Sequence, residues 1–218
     1  ISGKNIDAFT FLGRISAANV LRIEIVDGAT LSISGLSGQV LNLVTNVNET
    51  SGLSGNFKWQ PQWRRSGNNW LDGEASISGK LGNGDFTLSI ENDAARNGVE
   101  GPEQITDRSG DLLFGRDEIA RYRQDQPKLS ASYNRTGASG SIFNVNAAYQ
   151  LFRRKETVAT DRTQVGQPDI FELYDSRENE WNAEFSTDYE FALGGGRLKL
   201  IGLQRFEHSP VTDFFGQT

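Results

Sequence analysis

The sequence predicts an all-β chain of antiparallel strands, and three observations carry that prediction. The first is strict alternation. In residues 180–193, Trp181, Ala183, Phe185, Thr187, Tyr189 and Phe191 alternate with Asn182, Glu184, Ser186, Asp188 and Glu190. Successive side chains of a strand point to opposite faces, so this segment has one aromatic, apolar face and one polar, acidic face. The second is punctuation: turn signals at 82–84, 136–140 and 194–196 separate segments of the same texture. The third is that no run is long and apolar enough for a membrane-crossing helix. From Trp181 to Phe191 a strand rises about 33 Å, which a tilt of about 40° reduces to roughly 25 Å of height. That is the apolar band of a transmembrane β-barrel strand, with aromatic residues near both ends. A soluble sandwich strand with one face on a core alternates in the same way.

Composition narrows the classes. The chain has 218 residues, enough for one sizeable domain or two small ones. Hydrophobic residues make up 36%; a polar lumen face would dilute the apolar signal of a barrel strand to this level. A net charge of -6 argues against a nucleic-acid partner, which calls for a basic face. There are no cysteines, so neither a disulfide framework nor a thiolate metal site is available. There is no methionine either, so further polypeptide is expected before Ile1.

Taken in order, residues 1–50 differ from the rest. Ile6, Phe9, Phe11 and Leu12 give a short apolar opening, and Ser16 is placed to cap a helical turn over 17–20. Leu21, Ile23 and Ile25 alternate with Arg22 and Glu24, predicting a strand that Asp27 and Gly28 end; residues 40–45 predict a second. From Gly55 onward the texture is that of long hairpins. Phe57, Trp59, Pro61 and Trp63 alternate with polar residues, and Pro61, lacking an N–H, predicts an edge strand or a bulge. Residues 66–69 predict a turn. Leu71, Ala75, Ile77 and Leu81 then alternate with Asp72, Glu74, Ser76, Ser78 and Lys80, and Phe86, Leu88 and Ile90 with Thr87, Ser89 and Glu91. Residues 96–110 read as a long polar loop. Residues 112–135 read as a strand with an irregular break at 124–127, and 143–151 as a strand running on into Arg153, Arg154 and Lys155. Residues 160–169 read as a second long loop. The last strand, over 198–206, shifts its alternation at Leu200 and Ile201, which predicts a bulge; 213–218 carry no element. Short connections thus alternate with long ones, the arrangement of a barrel with short turns on one side of a membrane and long loops on the other.

Within residues 14–45 stand Arg22-Ile23-Glu24, then Gly35 and Gly38, then Asn42-Leu43-Val44-Thr45. This segment resembles the end of the plug domain of TonB-dependent outer-membrane receptors, and it precedes the strands, as in that family. Ser16 stands where the family usually has a proline, and Asp27-Gly28 replaces a more basic turn. The resemblance implies that residues 1–50 are the C-terminal part of a small α/β plug domain. Residues 51–218 would be the first strands and loops of the outer-membrane barrel, about seven of roughly 22 strands. It implies several partners: the remainder of the barrel, outer-membrane lipid and lipopolysaccharide, and TonB, engaged through a plug segment absent from this chain. The implied function is energised uptake of a small-molecule cargo, a scarce nutrient such as a siderophore, cobalamin, sugar or peptide, with no reaction catalysed and no cofactor. Arg22 and Glu24 would lie on a plug strand and contact charges of the barrel lumen.

No catalytic constellation stands out. His208 is the only histidine, and beside Glu207 it lacks a nucleophile at readable spacing; it is expected as a solvated loop residue. Glu184 and Asp188 share a strand face, as do Asp72 and Glu74, and a water-lined polar surface accounts for both without hydrolase or metal chemistry. The best candidates for ligand contact are charged and amide residues of the two long loops: Arg96, Asn97, Glu103, Asp107 and Arg108 in the first, and Arg162, Gln164 and Asp169 in the second. The alternative reading is a soluble all-β ligand-binding module, such as a carbohydrate-binding sandwich, with Trp59, Trp63 or Trp70 as a stacking platform.

Overall fold

The structure, a computed structural model, describes residues 20–27, 39–45, 53–164 and 166–218. Among these residues the chain is all-β and antiparallel, with no helix. A two-stranded sheet pairs β1 (Val20–Asp27) with β2 (Gln39–Thr45). Both strands were expected from the sequence; Val20, expected in a helical turn, opens β1, and the rest of that turn lies outside the described residues. An α/β plug unit therefore finds no support among the described residues.

The main sheet contains β3 (Ser54–Trp59), β4 (Gly73–Leu81), β5 (Gly84–Thr106), β6 (Leu112–Thr136), β7 (Ile142–Gln164), β8 (Ile170–Leu193), β9 (Gly196–His208) and β10 (Val211–Gln217). Strands next to each other in sequence are next to each other in the sheet from β3 to β8. Beyond β8, β9 pairs with Trp181–Leu193 and β10 with 172–178. These two strands are one edge strand interrupted at Ser209 and Pro210, and the pairing bridges the gap through the Asn179 N–H donating to the Pro210 carbonyl at 3.2 Å. The eight strands therefore fill seven positions, with β3 and β9–β10 as the two edges.

Unbroken register fixes the two faces. From β3 to β9 one transverse row runs Phe57, Ala75, Ile90, Leu129, Tyr149, Ala183, Phe206, and the next toward the turns runs Gly55, Ile77, Leu88, Ala131, Ala147, Phe185, Gln204. Aromatic rings gather at both margins of this apolar face. Phe143–Tyr189 and Tyr189–Phe191 lie 6.4 and 5.1 Å apart near the turns, and Tyr149–Trp181 lie 6.3 Å apart on the far side. Glycines seat some of the rings: a β-carbon on Gly84 would lie 2.4 Å from the Tyr133 ring, and one on Gly79 3.1 Å from that of Phe86.

The opposite face is polar and stitched across strands by short side chains: Ser78–Thr87 at 2.9 Å, Ser89–Ser130 at 2.7 Å and Asn144–Asp188 at 3.0 Å. Among the described residues nothing covers the apolar face. Ala94 is the only buried hydrophobic residue among those described, whereas Leu88 and Phe185 are 47% and 49% exposed. Among the described residues the sheet is a single layer.

Three tight turns close one end of the sheet, at 82–83, 137–141 and 194–195. Gly194 and Gly195 both take positive φ (57° and 86°), the two left-handed positions of a type I′ hairpin turn, which side chains with a β-carbon resist. These connections match their sequence signals; the far end departs from them. The expected loop 96–110 is strand as far as Thr106, with a five-residue turn over 107–111, and the expected loop 160–169 is strand as far as Gln164. The two expected long loops are therefore short connections, and the long connection at that end is 60–72, between β3 and β4. Residues 96–106 read as loop because neither of their faces is apolar, yet ladder hydrogen bonds and cross-strand ion pairs hold them in the sheet. The expected break at 124–127 survives as a gap in pairing: Gln126 and Pro127 are missing from the β6–β7 ladder while β6 continues. Residues 213–218, expected to carry no element, are strand as far as Gln217.

The expected bulge at Leu200–Ile201 is absent, because β8 and β9 pair in register throughout. Ile201 and Leu203 therefore fall on the polar face and Gln204 on the apolar one, so β9 separates its faces less cleanly than the other strands. The 60–72 connection folds back beside β5, where β4 has ended. Asn69, fully buried, donates to the Ala94 carbonyl at 2.8 Å and Ser66 to that of Arg96 at 3.2 Å, so side chains satisfy the strand edge there. Pro61 lies just past β3, an edge strand as expected.

Gly73 makes this hairpin possible. A β-carbon there would sit 2.3 Å from the Lys58 carbonyl oxygen and 3.2 Å from the Trp59 Cα, both backbone atoms that cannot yield cheaply. Gly73→Ala should destabilise the β3–β4 pairing by roughly 1–3 kcal/mol. Amide hydrogen exchange should quicken over 54–59 and 73–78 while residues 128–150 keep their protection.

Candidate functional site

Beyond the apolar margin the four longest strands, β5 to β8, continue with charge on both faces, and most of the candidate residues lie there. They divide between the faces. On the polar face, Glu103, Arg116, Arg162 and Ile170 form one transverse row, and Glu118, Thr160 and Glu172 the next. Arg116 donates to Glu103 at 2.8 Å and lies 3.7 Å from Glu118; Arg162 lies 3.9 Å from Glu172, with its guanidinium 5.7 Å from the Phe114 ring centre. A second unit on this face centres on Arg154. It pairs with Glu156 at 2.8 Å and Glu178 at 3.6 Å and stacks 5.3 Å from the centre of the Tyr122 ring, which donates its hydroxyl to Gln124. The Nε atoms of Arg154 and Arg162 are buried without a hydrogen-bond partner. Their hydrogen bonds to Glu103 and Glu156 raise the pKa values of Arg116 and Arg154 above the usual arginine value, so both stay cationic at any physiological pH.

The other candidates scatter. Arg96 is on the opposite face, held by Asp125 through paired bonds of 2.8 and 2.9 Å. Asn97 accepts from Arg64 at 3.0 Å. Asp107 shapes its turn, its Oδ1 accepting the N–H groups of Ser109 and Asp111 at 2.8 and 2.9 Å. Arg108 is exposed in that turn, Gln164 ends β7, and Asp169 is exposed in the next connection. Arg22 donates to Glu24 at 2.5 Å on β1, two residues away. Structure thus joins Glu103 and Arg162 in one network and places the rest elsewhere. Phe114, Arg116, Tyr122 and Arg154 were missed, although the alternation Phe114, Arg116, Glu118, Ala120, Tyr122 was there to find them.

His208 is not a loop residue: it ends β9, exposed, with its ring 6.3 Å from that of Trp181. The tryptophans of the alternative reading do cluster, but Trp63 and Trp70 meet edge to face at 84°, and the Trp59 indole donates to the Trp70 carbonyl at 2.8 Å. Perpendicular rings do not make the flat platform on which a sugar ring stacks. Among the described residues no three His, Cys, Asp or Glu side chains are placed to hold a metal ion.

Two carboxylates at the far end have lowered pKa values. Glu100 is held down first by its hydrogen bond from Arg121 and then by the charges of Arg65 and Arg121. Desolvation pushes Asp175 up, but Arg177, Lys155 and Thr157 together bring it below the ordinary value. A carboxylate with a lowered folded pKa stabilises fully above its unfolded value and loses that contribution as pH falls through the folded one. Hydrogen-exchange protection of 96–104 should therefore be constant above the ordinary glutamate value of 4.5 and decline below it, and that of 172–178 should do the same about the ordinary aspartate value of 3.8. In Glu100→Gln the decline over 96–104 should be smaller, which a pH series of exchange rates checks.

In comparisons with known proteins, no family model matches the chain and no curated protein matches it.

Proposed function

We propose that this chain forms part of a transmembrane β-barrel of an outer membrane, completed by further strands, within a TonB-dependent receptor that takes up a scarce nutrient. The observation that carries this reading is the uncovered apolar face. Seven strands about 4.8 Å apart and about ten residues of rise give it an area on the order of 1,000 Å². Monomeric soluble proteins rarely expose a continuous apolar patch beyond a few hundred Å². At about 25 cal/mol per Å², leaving it in water would cost on the order of 25 kcal/mol, more than the whole stability of a typical domain. Lipid tails cover such a face without a second protein layer. The aromatic rings at both margins fit the interfacial girdles of a barrel, and the hydrogen-bonded polar face fits a water-lined interior.

Two sheet edges, β3 and β9–β10, would be intolerable in lipid and call for pairing with the remaining strands. The charged extensions then stand outside the membrane, and their lumen side, with Glu103, Arg116, Arg154 and Arg162, meets the cargo, joined at the tips by Asp107, Arg108 and Asp169. In the family mechanism a plug blocks the lumen until energised TonB displaces it; Arg22 and Glu24 belong to that plug in this reading. No reaction is catalysed and no cofactor is used.

The chain has no cysteine, so single-cysteine labelling in the native host membrane tests the barrel directly. Leu88→Cys and Phe185→Cys should react with a lipid-soluble maleimide and resist a membrane-impermeant one. Equal labelling of Phe185→Cys by the impermeant reagent in intact envelopes would refute the membrane face. For the receptor role, deletion of the gene should abolish growth on one limiting nutrient, and loss of TonB should do the same; growth indifferent to TonB on every nutrient would refute it.

A further inference from the structure

Where the apolar face gives way to charge, the charge is segregated. One row past Trp181 stand Asp125 and Arg153, directly paired, and the next row is Arg96, Arg123, Lys155 and Arg177, each paired with the next across four adjacent strands. Like charges directly opposite on neighbouring strands repel, so a transverse row of cations is costly unless anions compensate it. The chain supplies only part of that compensation. Asp125 holds Arg96, and Asp175 serves both Lys155 at 3.2 Å and Arg177 at 2.8 Å. Arg123 and Arg153 are exposed and have no hydrogen-bond or ion-pair partner among the described residues. Further from the apolar face the same side turns acidic, with Glu100, Asp117 and Asp161.

A hollow of about 480 Å³ opens on the apolar side of these cations, lined by Phe57, Trp59, Trp70, Leu71 and Ile90, with Arg153 and Asp125 also bordering it. Gly73 and Ala75 make the room, because they put almost no side chain between Trp59 and Ile90. Its size suits a small-molecule ligand, and most of its wall is apolar, although Lys58, Asp72, Glu74, Glu91 and Asn92 also line it.

We propose that this margin is a docking site for a phosphate-bearing lipid, with its acyl chains in the hollow and its phosphates on Arg123 and Arg153. The proposal rests on the membrane reading given above. The chemistry is that of an amphiphile: an apolar slot is bordered by the Arg153 guanidinium, with Arg123 one row further along the neighbouring strand beyond Asp125, and a guanidinium forks onto phosphate oxygens through two parallel N–H bonds. Neither a free anion nor a neutral lipid would use both halves of the site.

The test uses the full-length protein extracted from its native membrane in mild detergent. It is titrated with a bis-phosphorylated, acylated glucosamine disaccharide, and bound lipid is counted by native mass spectrometry. At roughly a factor of five per basic side chain, the double variant Arg123→Gln with Arg153→Gln should weaken binding about thirty-fold. The charge-preserving Arg123→Lys with Arg153→Lys should keep most of it. The same neutralisation on the polar face, Lys80→Gln with Lys199→Gln, should change it less than three-fold. Unchanged binding in the Gln double variant, or an equal loss in the polar-face control, would overturn the proposal. So would competition by inorganic phosphate as effective as that by the lipid, which would show a plain anion site. Recovery of the wild-type protein in the soluble fraction would overturn the membrane reading itself; membrane residence with indifferent lipid binding would overturn only the lipid site.

Discussion

Phe185→Arg should abolish accumulation of the protein in the membrane, and Ser186→Arg, one residue along the same strand, should not. Phe185 lies near the middle of the apolar face, half exposed, in a row with Leu88, Ala131 and Ala147. An arginine at the midplane of a barrel's lipid face costs about 2–4 kcal/mol. Set against a stability of roughly 5–15 kcal/mol, that reduces the folded-to-unfolded ratio by a factor of about 30 or more. Ser186 points to the polar face, where its hydroxyl accepts from Asn146 at 3.4 Å, and a long cation there can reach water or Glu184. For a soluble module the order reverses. Arginine at an exposed phenylalanine then costs at most about 0.5 kcal/mol and improves solubility. Immunoblots of detergent-extracted outer membrane for the two variants decide the matter, since the two readings predict opposite rankings.

How much of this was legible in the sequence depends on which half of a strand is considered. The turn-proximal halves were readable because one face is apolar and the other polar; Leu129, Ala131 and Tyr133 against Ser130, Ser132 and Asn134 can hardly be read otherwise. The far ends of β5 and β7, 96–106 and 160–164, were read as loops because residues such as Arg96, Glu100 and Glu103 alternate with nothing apolar. What makes them strands is register: Arg96 meets Asp125, Glu100 meets Arg121 and Glu103 meets Arg116, across separations of 29, 21 and 13 residues. Nothing local in the sequence states those partners. The slip at Leu200–Ile201 misled for the opposite reason. Its alternation does change, but β8 holds the ladder in step, so the side chains change face and the backbone does not. The candidate site suffered with the loops. Glu103 and Arg162 were picked as charged tips, whereas Tyr122 and Arg154, which stack in mid-strand, became visible only once β6 and β7 were paired.

The far halves should also be the part that opens first, and Arg96 is the residue that decides when. Its side chain is only 12% exposed and donates to both oxygens of Asp125, to the Gln124 carbonyl at 2.6 Å and to the Ala95 carbonyl at 2.9 Å. Arg96→Leu keeps an apolar stem but leaves the Asp125 carboxylate, 30% exposed, beside carbonyls and without its cation. Removing one member of a buried pair costs about 3–5 kcal/mol, and partial exposure of Asp125 places this case near 3 kcal/mol. Arg96→Lys should recover less than half, because an ammonium cannot fork onto a carboxylate. The double variant Arg96→Leu with Asp125→Leu should recover more than the lysine does, because it removes the stranded charge as well as the pair. The loss should be local, since toward the turns the same β5–β6 ladder continues from Gly84 to Glu91, where no bond involves Arg96. Limited proteolysis should then cut within 107–111 many times faster in Arg96→Leu than in wild type, while exchange protection over 84–91 and 128–136 stays unchanged. Uniform loss across both halves would mean that the charged extensions and the apolar band unfold as one unit, so that the far end could not move independently to admit a ligand.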